Sequence, residues 1–289
     1  MTQTPTSFIL FSGKKDAEKD DKRYRYLSEL LIEDGKRVFV FNKNDPCIMG
    51  EEINCENLKE REESLIAILS FFLTPEEKQE ILSSLPRSSV IFGGKLSPEE
   101  KKLCKDKGHI FNDLLNDDVF CKDNAIPTAE AALAIAINET PFALRDKSVL
   151  ILGFGRVAKE TARIFRAVGM KTVCAVRRSE LFDEIKEKGC GTALITDEGI
   201  SAEKFSLGDF KVIINTVPPP GRITEKHASF FCPDALFIDL APCDTVDMLK
   251  ACGIKAVNAP SLPGKTAPQS GAEYIYNAVK SRLNDDERS

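Results

Sequence analysis

The sequence predicts an α/β protein with two doubly wound parallel-sheet domains, the second a Rossmann dinucleotide-binding domain. Three observations predict this fold. Short apolar runs alternate with segments that have one apolar helical face, which is typical of parallel sheets covered by helices. The 289 residues suffice for two domains of ordinary size. A glycine-rich turn, Gly153 to Ala158, follows an apolar run and opens a helix.

The first series of strands and helices occupies residues 1–125. Thr74-Pro75-Glu76-Glu77 and Ser97-Pro98-Glu99-Glu100 each predict a helix start, because each has a hydroxyl N-cap, a proline at the first helical position and a glutamate that completes a capping box. The pattern also predicts a helix over Asp20–Glu33 and strands over Ser7–Phe11, Arg37–Phe41, Leu65–Phe72 and Ser88–Phe92.

The second series follows a strongly apolar segment that we predict to be an inter-domain helix over 127–139, opened by Ile126 and Pro127. We expect a Rossmann domain over 126–266 and an N-terminal substrate or partner domain over 1–125, which the C-terminal helix 267–284 joins. Predicted strands of the second domain cover Ser148–Leu152, Thr172–Val176, Phe210–Asn215, Ala235–Leu240 and Lys255–Asn258.

Composition excludes several classes of protein. Acidic residues outnumber basic ones 45 to 40, which excludes a protein that binds nucleic acid through an overall positive charge. No apolar run approaches the roughly 18 residues of a membrane helix, and the N-terminus lacks the features of a signal peptide. The nine cysteines form no C-x-x-C pair, so we predict free thiols, no metal site and a cytoplasmic protein.

The glycine-rich turn is the most informative motif, and it predicts a site for the pyrophosphate of a dinucleotide. Gly153 permits a tight turn, Gly155 lets a phosphate approach the backbone, and Ala158 lets the helix pack closely on the strand. The helix N-terminus adds amide donors and a positive dipole. The candidate cofactor-binding residues of this turn are Gly153, Phe154, Gly155, Arg156 and Val157.

The end of the next strand discriminates between nicotinamide cofactors. An NAD site usually has an acidic residue there, which accepts hydrogen bonds from the ribose 2′-hydroxyl. This strand is followed by Arg177, Arg178 and Ser179, which suit a 2′-phosphate. We therefore predict NADP, with NAD as the alternative. The competing interpretation of the two arginines is a solvated basic pair, and the missing acid argues against S-adenosylmethionine.

Two further strand ends are expected beside the cofactor, because ligands bind at the carboxyl ends of such strands. Asp239 either orients a neighbouring loop, lies near the nicotinamide, or serves as an ordinary capping or ion-paired residue. Pro218 to Pro220 predict an extended loop. The candidate cofactor-binding residues at these ends are Asn215, Thr216, Val217, Pro218, Asp239 and Leu240.

Two loop-to-helix junctions are candidates for the substrate site. At the last helix we expect Thr266 as N-cap and Gln269 as its capping-box partner, with Lys265 beside free amides as an anion site or simply as a solvated lysine. Glu130 either acts as general acid or base, if burial raises its pKa, or complements the helix dipole. The candidate catalytic residues are Glu130 and Lys265, and Thr128, Thr266, Gln269 and Ser270 are candidate substrate-binding residues.

These motifs together resemble the A subunits of dipicolinate synthase, a family from endospore-forming bacteria. The I-P-T-A-E motif and the L-P-G-x-x-A-P motif, in this order, are more specific than the glycine loop. The matching segments run from Phe92 to Glu99, Asn124 to Glu130, Val149 to Arg156, Ile214 to Pro218, Ile238 to Ala241 and Ala259 to Pro268.

The resemblance implies NADP-dependent oxidation of dehydrated 4-hydroxy-tetrahydrodipicolinate to dipicolinate during sporulation, with a homo-oligomeric state and a flavoprotein-like B subunit. It also implies that Arg23, in Asp21-Lys22-Arg23-Tyr24, binds a substrate carboxylate. The sequence differs from the family at Ser12-Gly13, at Gln269 in place of a lysine, and at Pro242-Cys243-Asp244-Thr245 in place of a glycine-rich stretch.

Two other functions remain open on the sequence alone. One is a divergent NAD(P)-dependent dehydrogenase of the 2-hydroxyacid or alanine type, for which His227 would be the candidate catalytic histidine. The other is a non-catalytic NADP-binding subunit.

Overall fold

The computed structural model describes residues 7–12, 21–41, 43, 45–202, 205–218, 223–241 and 245–286. The protein divides into two compact units: unit 1 comprises Met1–Asp123 and Ala267–Ser289, and unit 2 comprises Asn124–Thr266. The elements up to the boundary are β1 (Ser7–Phe11), α1 (Arg23–Glu33), β2 (Arg37–Phe41), β3 (Glu51–Ile53), α2 (Cys55–Lys59), β4 (Ile66–Leu69), α3 (Pro75–Ser84), β5 (Val90–Gly93), α4 (Pro98–Lys107), β6 (Ile110–Asp113) and α5 (Asp118–Glu139), which continues into unit 2.

Unit 2 supplies most of the remaining elements. They are β7 (Ser148–Leu152), α6 (Arg156–Ala167), β8 (Lys171–Val176), α7 (Phe182–Glu187), β9 (Gly191–Thr196), β10 (Gly199–Ala202), β11 (Phe210–Asn215), α8 (Glu225–Ala228), β12 (Leu236–Asp239), α9 (Thr245–Ala251), β13 (Lys255–Asn258) and α10 (Leu262–Thr266); α11 (Pro268–Asp286) then belongs to unit 1.

Unit 1 is a six-stranded parallel sheet with helices on both faces. Its strand order is β3-β2-β1-β4-β5-β6, so the direction of winding reverses between β1 and β4. Apolar side chains of α1 and α11 pack on one face, and those of α2, α3 and α4 pack on the other. Because both faces are covered, the central strands are apolar throughout, as in the fully buried Ile66–Leu69.

Unit 2 has seven strands in the order β10-β9-β8-β7-β11-β12-β13, with the reversal between β7 and β11. Helices α5, α6 and α7 cover one face, while α8 and α9 cover the other. The fold class is thus the predicted one: an α/β protein with two doubly wound sheets, the second Rossmann-like. The sheet departs from purely parallel pairing at β10, which forms an antiparallel hairpin with β9.

Both predicted capping boxes are present. The Glu77 amide donates to the Thr74 hydroxyl over 3.2 Å, and the Thr74 amide donates to the Glu77 carboxylate over 2.8 Å. Ser97 and Glu100 make the same reciprocal pair. These two helices therefore begin where local side-chain chemistry alone places them, because four backbone donors at each helix start need partners.

The predicted start of the inter-domain helix at Ile126 and Pro127 is wrong. The helix begins at Asp118, and Pro127 lies in its interior. Asp117 supplies the start signal, because its carboxylate accepts the Phe120 amide over 2.8 Å. Inside the helix the Thr128 hydroxyl donates to the Asn124 carbonyl over 2.9 Å, which adds a hydrogen bond next to the donor that proline lacks.

The predicted cap at Thr266 is also wrong. Thr266 is the last residue of α10, and its hydroxyl donates back to the Leu262 carbonyl over 2.8 Å. Gln269 makes no capping box, because its amide nitrogen donates to the Glu273 carboxylate over 3.3 Å. Of the differing family segments, Gly13 and Pro242–Asp244 lie outside the described residues, as do Pro219 and Pro220 of the proline loop.

Candidate functional site

The turn between β7 and α6 presents bare backbone at the end of the central strand of unit 2. Gly153 has a φ of +104°, a conformation that side-chain-bearing residues rarely adopt. A Cβ atom on Gly155 would meet nothing within 4 Å, so the space in front of this residue is open. Gly155 is the N-cap of α6 and offers no side-chain acceptor, and the first turn of α6 has no acidic residue. This end of α6 therefore suits an anionic group of a ligand.

The ends of β7 and β11 meet at the point where the sheet reverses its winding. The Thr216 amide and hydroxyl both donate to the Leu152 carbonyl, over 3.1 and 2.7 Å. A Cβ atom on Gly153 would lie 2.7 Å from the Thr216 hydroxyl and 3.0 Å from a Val217 methyl group. Absence of a side chain at Gly153 is thus what lets the two strand ends approach each other beside the open cradle.

A buried polar network continues from β11 to β12. The Asn215 amide nitrogen donates to the Asp239 carboxylate over 3.0 Å, and the Asn215 side-chain oxygen accepts the Val217 amide over 3.1 Å. Asp239 also accepts the Ala241 amide over 3.2 Å and is fully buried. Of the interpretations open for Asp239, these contacts support the orientation of neighbouring loops. The half-buried Leu240 follows it, and its amide donates to the Asn215 carbonyl over 2.9 Å.

The residues after β8 are exposed. Arg177, Arg178 and Ser179 each lie at the surface directly after the strand, and neither arginine forms an ion pair with any residue that the structure describes. Phe154 of the glycine-rich turn is buried in the core, so a ligand would meet only its backbone. Arg156 and Pro218 are exposed, and Val157 is half-buried.

The candidate catalytic residues of unit 2 both lie at its surface. Glu130 is exposed on α5, where its charge acts on Arg163 of α6, so the burial on which the predicted acid–base role depended is not present. Lys265 is exposed in the last turn of α10, not at a helix N-terminus. Thr128 is buried, with its hydroxyl bonded to the helix backbone, and Thr266 is exposed. The structure therefore supplies no hydrogen bond that links these four side chains to one another.

Unit 1 has a buried polar cluster at its own reversal point, between β1 and β4. The Ser70 amide donates to the Phe11 carbonyl over 3.0 Å, and the Ser70 hydroxyl donates to Asp21 over 2.9 Å. Arg23 donates to both oxygens of Asp21, over 2.7 and 2.8 Å, and its guanidinium carbon lies 4.9 Å from the centre of the Phe71 ring. Burial lowers the pKa of Arg23, but the charge and hydrogen bonds of Asp21 outweigh this effect and raise it. Arg23 is therefore neutralised within the protein by a partner that the sequence did not indicate.

The remaining candidates of unit 1 lie in the first turn of α11. Gln269 is exposed, and Ser270 is half-buried. Nothing in the sequence signalled the Asp21–Ser70 contact, because 49 positions separate the two residues and neither belongs to a periodic pattern.

His227 is a structural residue. It is 3% exposed; its Nδ1 accepts the Thr224 amide over 3.2 Å, and its Nε2 bonds to the Thr196 carbonyl over 2.9 Å. Because a carbonyl can only accept, Nε2 carries the proton, and both ring nitrogens are occupied by α8 and the end of β9. This arrangement disfavours a catalytic role for His227.

Two other kinds of site are not found in the part of the protein that the structure describes. Among these residues, no group of three His, Cys, Asp or Glu side chains is placed to hold a metal ion. Within the same residues, no helix is long and apolar enough to span a membrane.

The fold and the site of unit 2 define the class: a two-domain protein with the fold of dinucleotide-binding dehydrogenases. L-alanine dehydrogenase has this fold, with a TM-score of 0.61 at 12% identity, and the match covers 96% of this protein and 88% of the other. The sequence is 30% identical over 209 residues to the A subunit of dipicolinate synthase from Bacillus subtilis, which covers 71% of this protein and 68% of the relative. The protein belongs to the family of dipicolinate synthase A subunits.

The solved structure of the A subunit of dipicolinate synthase from Bacillus subtilis has the same overall fold. Its TM-score is 0.78 at 23% identity, and the match covers 99% of this protein and 98% of the solved one. No family model matches the sequence.

Proposed function

We propose that this protein is an oxidoreductase that converts the dehydrated form of 4-hydroxy-tetrahydrodipicolinate to dipicolinate with NADP⁺, as part of a dipicolinate synthase during sporulation. The observation that carries the proposal is the open backbone cradle at Gly155, the N-cap of α6, in a protein that belongs to this family. The cradle suits a pyrophosphate because it combines free space, helix amides and the positive end of a helix dipole.

The two exposed arginines after β8 support NADP over NAD. A 2′-phosphate carries oxygens that a guanidinium binds through paired hydrogen bonds, whereas the ribose 2′-hydroxyl of NAD calls for a carboxylate at this place. Arg177, Arg178 and Ser179 stand there, and neither arginine is engaged by a described acidic side chain. We assign the 2′-phosphate to these three residues.

We place the pyrophosphate and the nicotinamide half of the cofactor along the carboxyl ends of the strands of unit 2. We assign the pyrophosphate to the backbone of Gly153 through Val157, and the nicotinamide half to Thr216, Val217, Pro218 and Leu240. Asn215 and Asp239 link the ends of β11 and β12 through the hydrogen bond between their side chains. When bound, the nicotinamide supplies the hydride acceptor.

The substrate is a cyclic dicarboxylate that first loses water and then loses a hydride and a proton to become aromatic. Within unit 2 we assign a carboxylate to the exposed cation of Lys265 and proton transfer to Glu130. Thr128 and Thr266 are the substrate-binding residues that we propose within unit 2. In unit 1, Gln269 and Ser270 stay predicted substrate-binding residues, whereas Arg23 is already paired with Asp21. A flavoprotein-like B subunit is the proposed partner, and the proposed location is the cytoplasm.

The cofactor assignment is tested by calorimetry with NADP⁺ and NAD⁺. The double variant Arg177→Ala/Arg178→Ala should lose roughly 1.5–3 kcal/mol of NADP⁺ binding for each contact, which is at least tenfold in affinity, and little NAD⁺ binding. Arg163→Ala is the matched control, because that arginine is exposed in the same unit but pairs with Glu160. Equal losses for both cofactors would contradict the assignment.

The reaction is tested by supplying NADP⁺ and freshly generated cyclic substrate, with and without the B subunit, and by measuring NADPH and dipicolinate. We expect both products in equal amounts and a loss of turnover in Glu130→Gln with NADP⁺ binding retained. If NADPH binds tightly but no product forms under either condition, the protein is non-catalytic and the proposal fails.

A further inference from the structure

Two buried cysteines are neighbours on the face of the unit 2 sheet that α6 and α7 cover. Cys174 lies in β8, and Cys190 directly precedes β9, the adjacent parallel strand. Both side chains belong to the same apolar core, where they are 0% and 6% exposed. A hydrogen bond joins the two sulfur groups, and both cysteines are reduced. The fold therefore holds a dithiol pair inside unit 2.

The surroundings of this pair favour a thiolate on Cys190. Arg166 of α6 donates to the Lys188 carbonyl, two positions before Cys190, and forms no ion pair with a residue that the structure describes. The hydrogen bond from Cys174 and the charge of Arg166 lower the pKa of Cys190 to about 7, against the opposing effect of burial. The same hydrogen bond and burial raise the pKa of Cys174. At neutral pH about half of Cys190 is therefore ionised, while Cys174 stays a thiol.

Another buried cysteine shows what burial alone does. Cys104 of α4 is 4% exposed, and burial together with the charge of Glu100 raises its pKa to about 11. Such a thiol is inert at neutral pH, because the thiolate is the nucleophile. Cys190 is buried to a similar degree, so its partners make the difference.

Hydrogen peroxide can oxidise this pair in two balanced steps. The Cys190 thiolate attacks one peroxide oxygen, the O–O bond breaks, and with one proton from solvent a sulfenic acid and one water form. The sulfur of Cys174 then attacks the sulfenic sulfur, which releases a second water and forms a disulfide. In total the two thiols lose two electrons and two protons, and the peroxide is reduced to two waters. Cys190 reacts first because it is the thiolate and the more exposed of the two.

The disulfide requires a movement of the backbone at Cys190. In the register of β8 and β9, Cys174 faces Thr192, so Cys190 is offset by two positions. With a strand spacing of about 4.8 Å and a rise of about 3.3 Å per residue, the two Cα atoms lie roughly 8 Å apart. A disulfide spans about 4.4–6.8 Å between Cα atoms. Cys190 is the side that moves, because it lies outside the strand and between Gly189 and Gly191.

The segment that this disulfide closes carries the proposed 2′-phosphate site. It runs from Cys174 to Cys190 and contains α7 and the three residues that directly follow β8, Arg177, Arg178 and Ser179. When Cys190 moves towards β8, the end of α7 moves with it, because the Cys190 amide donates to a carbonyl of that helix, at Ile185. The movement therefore shifts the segment that holds the two arginines.

We propose that Cys174 and Cys190 form a redox switch, in which a peroxide converts the two thiols to a disulfide that displaces the segment between them and weakens NADP binding. Strained disulfides are easily reduced again, as a reversible switch requires. Formation of the disulfide is independent of the proposed function, whereas its effect on NADP rests on the proposed cofactor site.

Peptide mapping of the full-length protein tests the disulfide. After hydrogen peroxide treatment and blocking of free thiols, we expect peptides joined at Cys174 and Cys190, while Cys104 stays a thiol as the internal control. In Cys174→Ser the reaction should stop at a sulfenic acid on Cys190, which a cyclic 1,3-diketone traps, whereas Cys190→Ser should leave Cys174 unmodified. A wild type without joined peptides overturns the proposal, as does a sulfenic acid that forms on Cys174 first.

The pH dependence of the oxidation rate tests the role of Arg166. For the wild type we expect the rate to rise with a midpoint near pH 7, the pKa of Cys190. Arg166→Gln should move the midpoint upwards, towards the value of about 8.5 for a free thiol. Arg163→Gln is the matched control, because that arginine is exposed on the same helix but pairs with Glu160. Equal midpoints in the three proteins contradict the activation of Cys190 by Arg166.

Calorimetry tests the effect on the cofactor. We expect the oxidised wild type to bind NADP⁺ at least about tenfold more weakly than the reduced protein, the loss expected when one charge-assisted contact breaks, and a thiol reductant to restore the affinity. Cys190→Ser should bind NADP⁺ equally before and after peroxide. A disulfide that leaves the affinity unchanged refutes the switch. If the reduced protein binds no NADP⁺, the cofactor assignment fails and the switch fails with it, whereas the peptide map still decides whether the disulfide forms.

Discussion

Replacing Gly153 by alanine should destabilise unit 2 strongly. The new methyl group would lie 2.7 Å from the Thr216 hydroxyl, closer than real Cβ atoms approach, and 3.0 Å from a Val217 methyl group, which is a tight contact. The residue also has a φ of +104°, where strain costs about 1–3 kcal/mol. Crowding of a packed site adds about 1–3 kcal/mol, so the expected loss in the free energy of unfolding is about 2–6 kcal/mol.

Gly155→Ala is the matched control for Gly153→Ala. It makes the same chemical change two residues away, at an ordinary φ of −78° with open space around the new atom, so stability should fall by less than about 1 kcal/mol. Urea unfolding followed by hydrogen exchange in β7 measures both variants. Adding Thr216→Ala to Gly153→Ala should recover part of the loss, because it removes the contact with the Thr216 hydroxyl and leaves the contact with Val217 and the backbone strain. Equal stability of the two glycine variants would refute this reasoning.

Three further predictions concern buried polar groups. His227→Ala should lower the free energy of unfolding by about 1–3 kcal/mol and leave NADP⁺ affinity unchanged in calorimetry, since it leaves buried partners unpaired. Asp21→Asn should cost about 3–5 kcal/mol in urea unfolding because Arg23 stays buried without its counter-charge, whereas Glu51→Gln at an exposed pair should cost under about 1 kcal/mol. Burial lowers the pKa of His109 below 6.5, so the unfolded protein takes up the proton first, and stability should fall as the pH drops below that value; His109→Gln should flatten this dependence.

Elements whose signals are local could be predicted from the sequence. The strands over Ser7–Phe11 and Ser148–Leu152 have the predicted bounds, because an apolar run between turn residues marks a buried parallel strand. The strands at the edges of the unit 1 sheet were missed. Glu51–Ile53 and Ile110–Asp113 are short and only partly buried, so no continuous apolar run distinguishes them from loops.

Proline shows why helix boundaries resisted prediction. Pro75 and Pro98 follow hydroxyl residues that cap their helices, and both helices begin as predicted. Pro127 follows an isoleucine, which has no capping group, and it lies well inside a helix that the carboxylate of Asp117 starts. The capping residue, rather than the proline, carries the information about where a helix begins.

The candidate site also has a part that is encoded locally in the sequence and a part that depends on contacts between distant residues. The glycine turn is a local motif, and its conformation and open space could be inferred from Gly153 and Gly155 alone. The Asp21–Ser70 and Asn215–Asp239 contacts join residues far apart in sequence, so these partners emerge only when the strand order brings the strand ends together. For this reason the residues expected to act on the substrate were harder to assign than those expected to bind the cofactor.

The two reversal points illustrate how buried polar groups hold strand ends in register. In unit 2, Asn215 satisfies both the Asp239 carboxylate and the Val217 amide, while in unit 1 Ser70 satisfies Asp21. Burying a carboxylate without hydrogen-bond partners strongly destabilises the folded state. Each network is therefore stable only in the arrangement that completes its hydrogen bonds. Apolar packing alone would tolerate small shifts between strands. We infer that these networks fix the positions of the loops that leave each sheet edge, which is what a site for a large, charged cofactor requires.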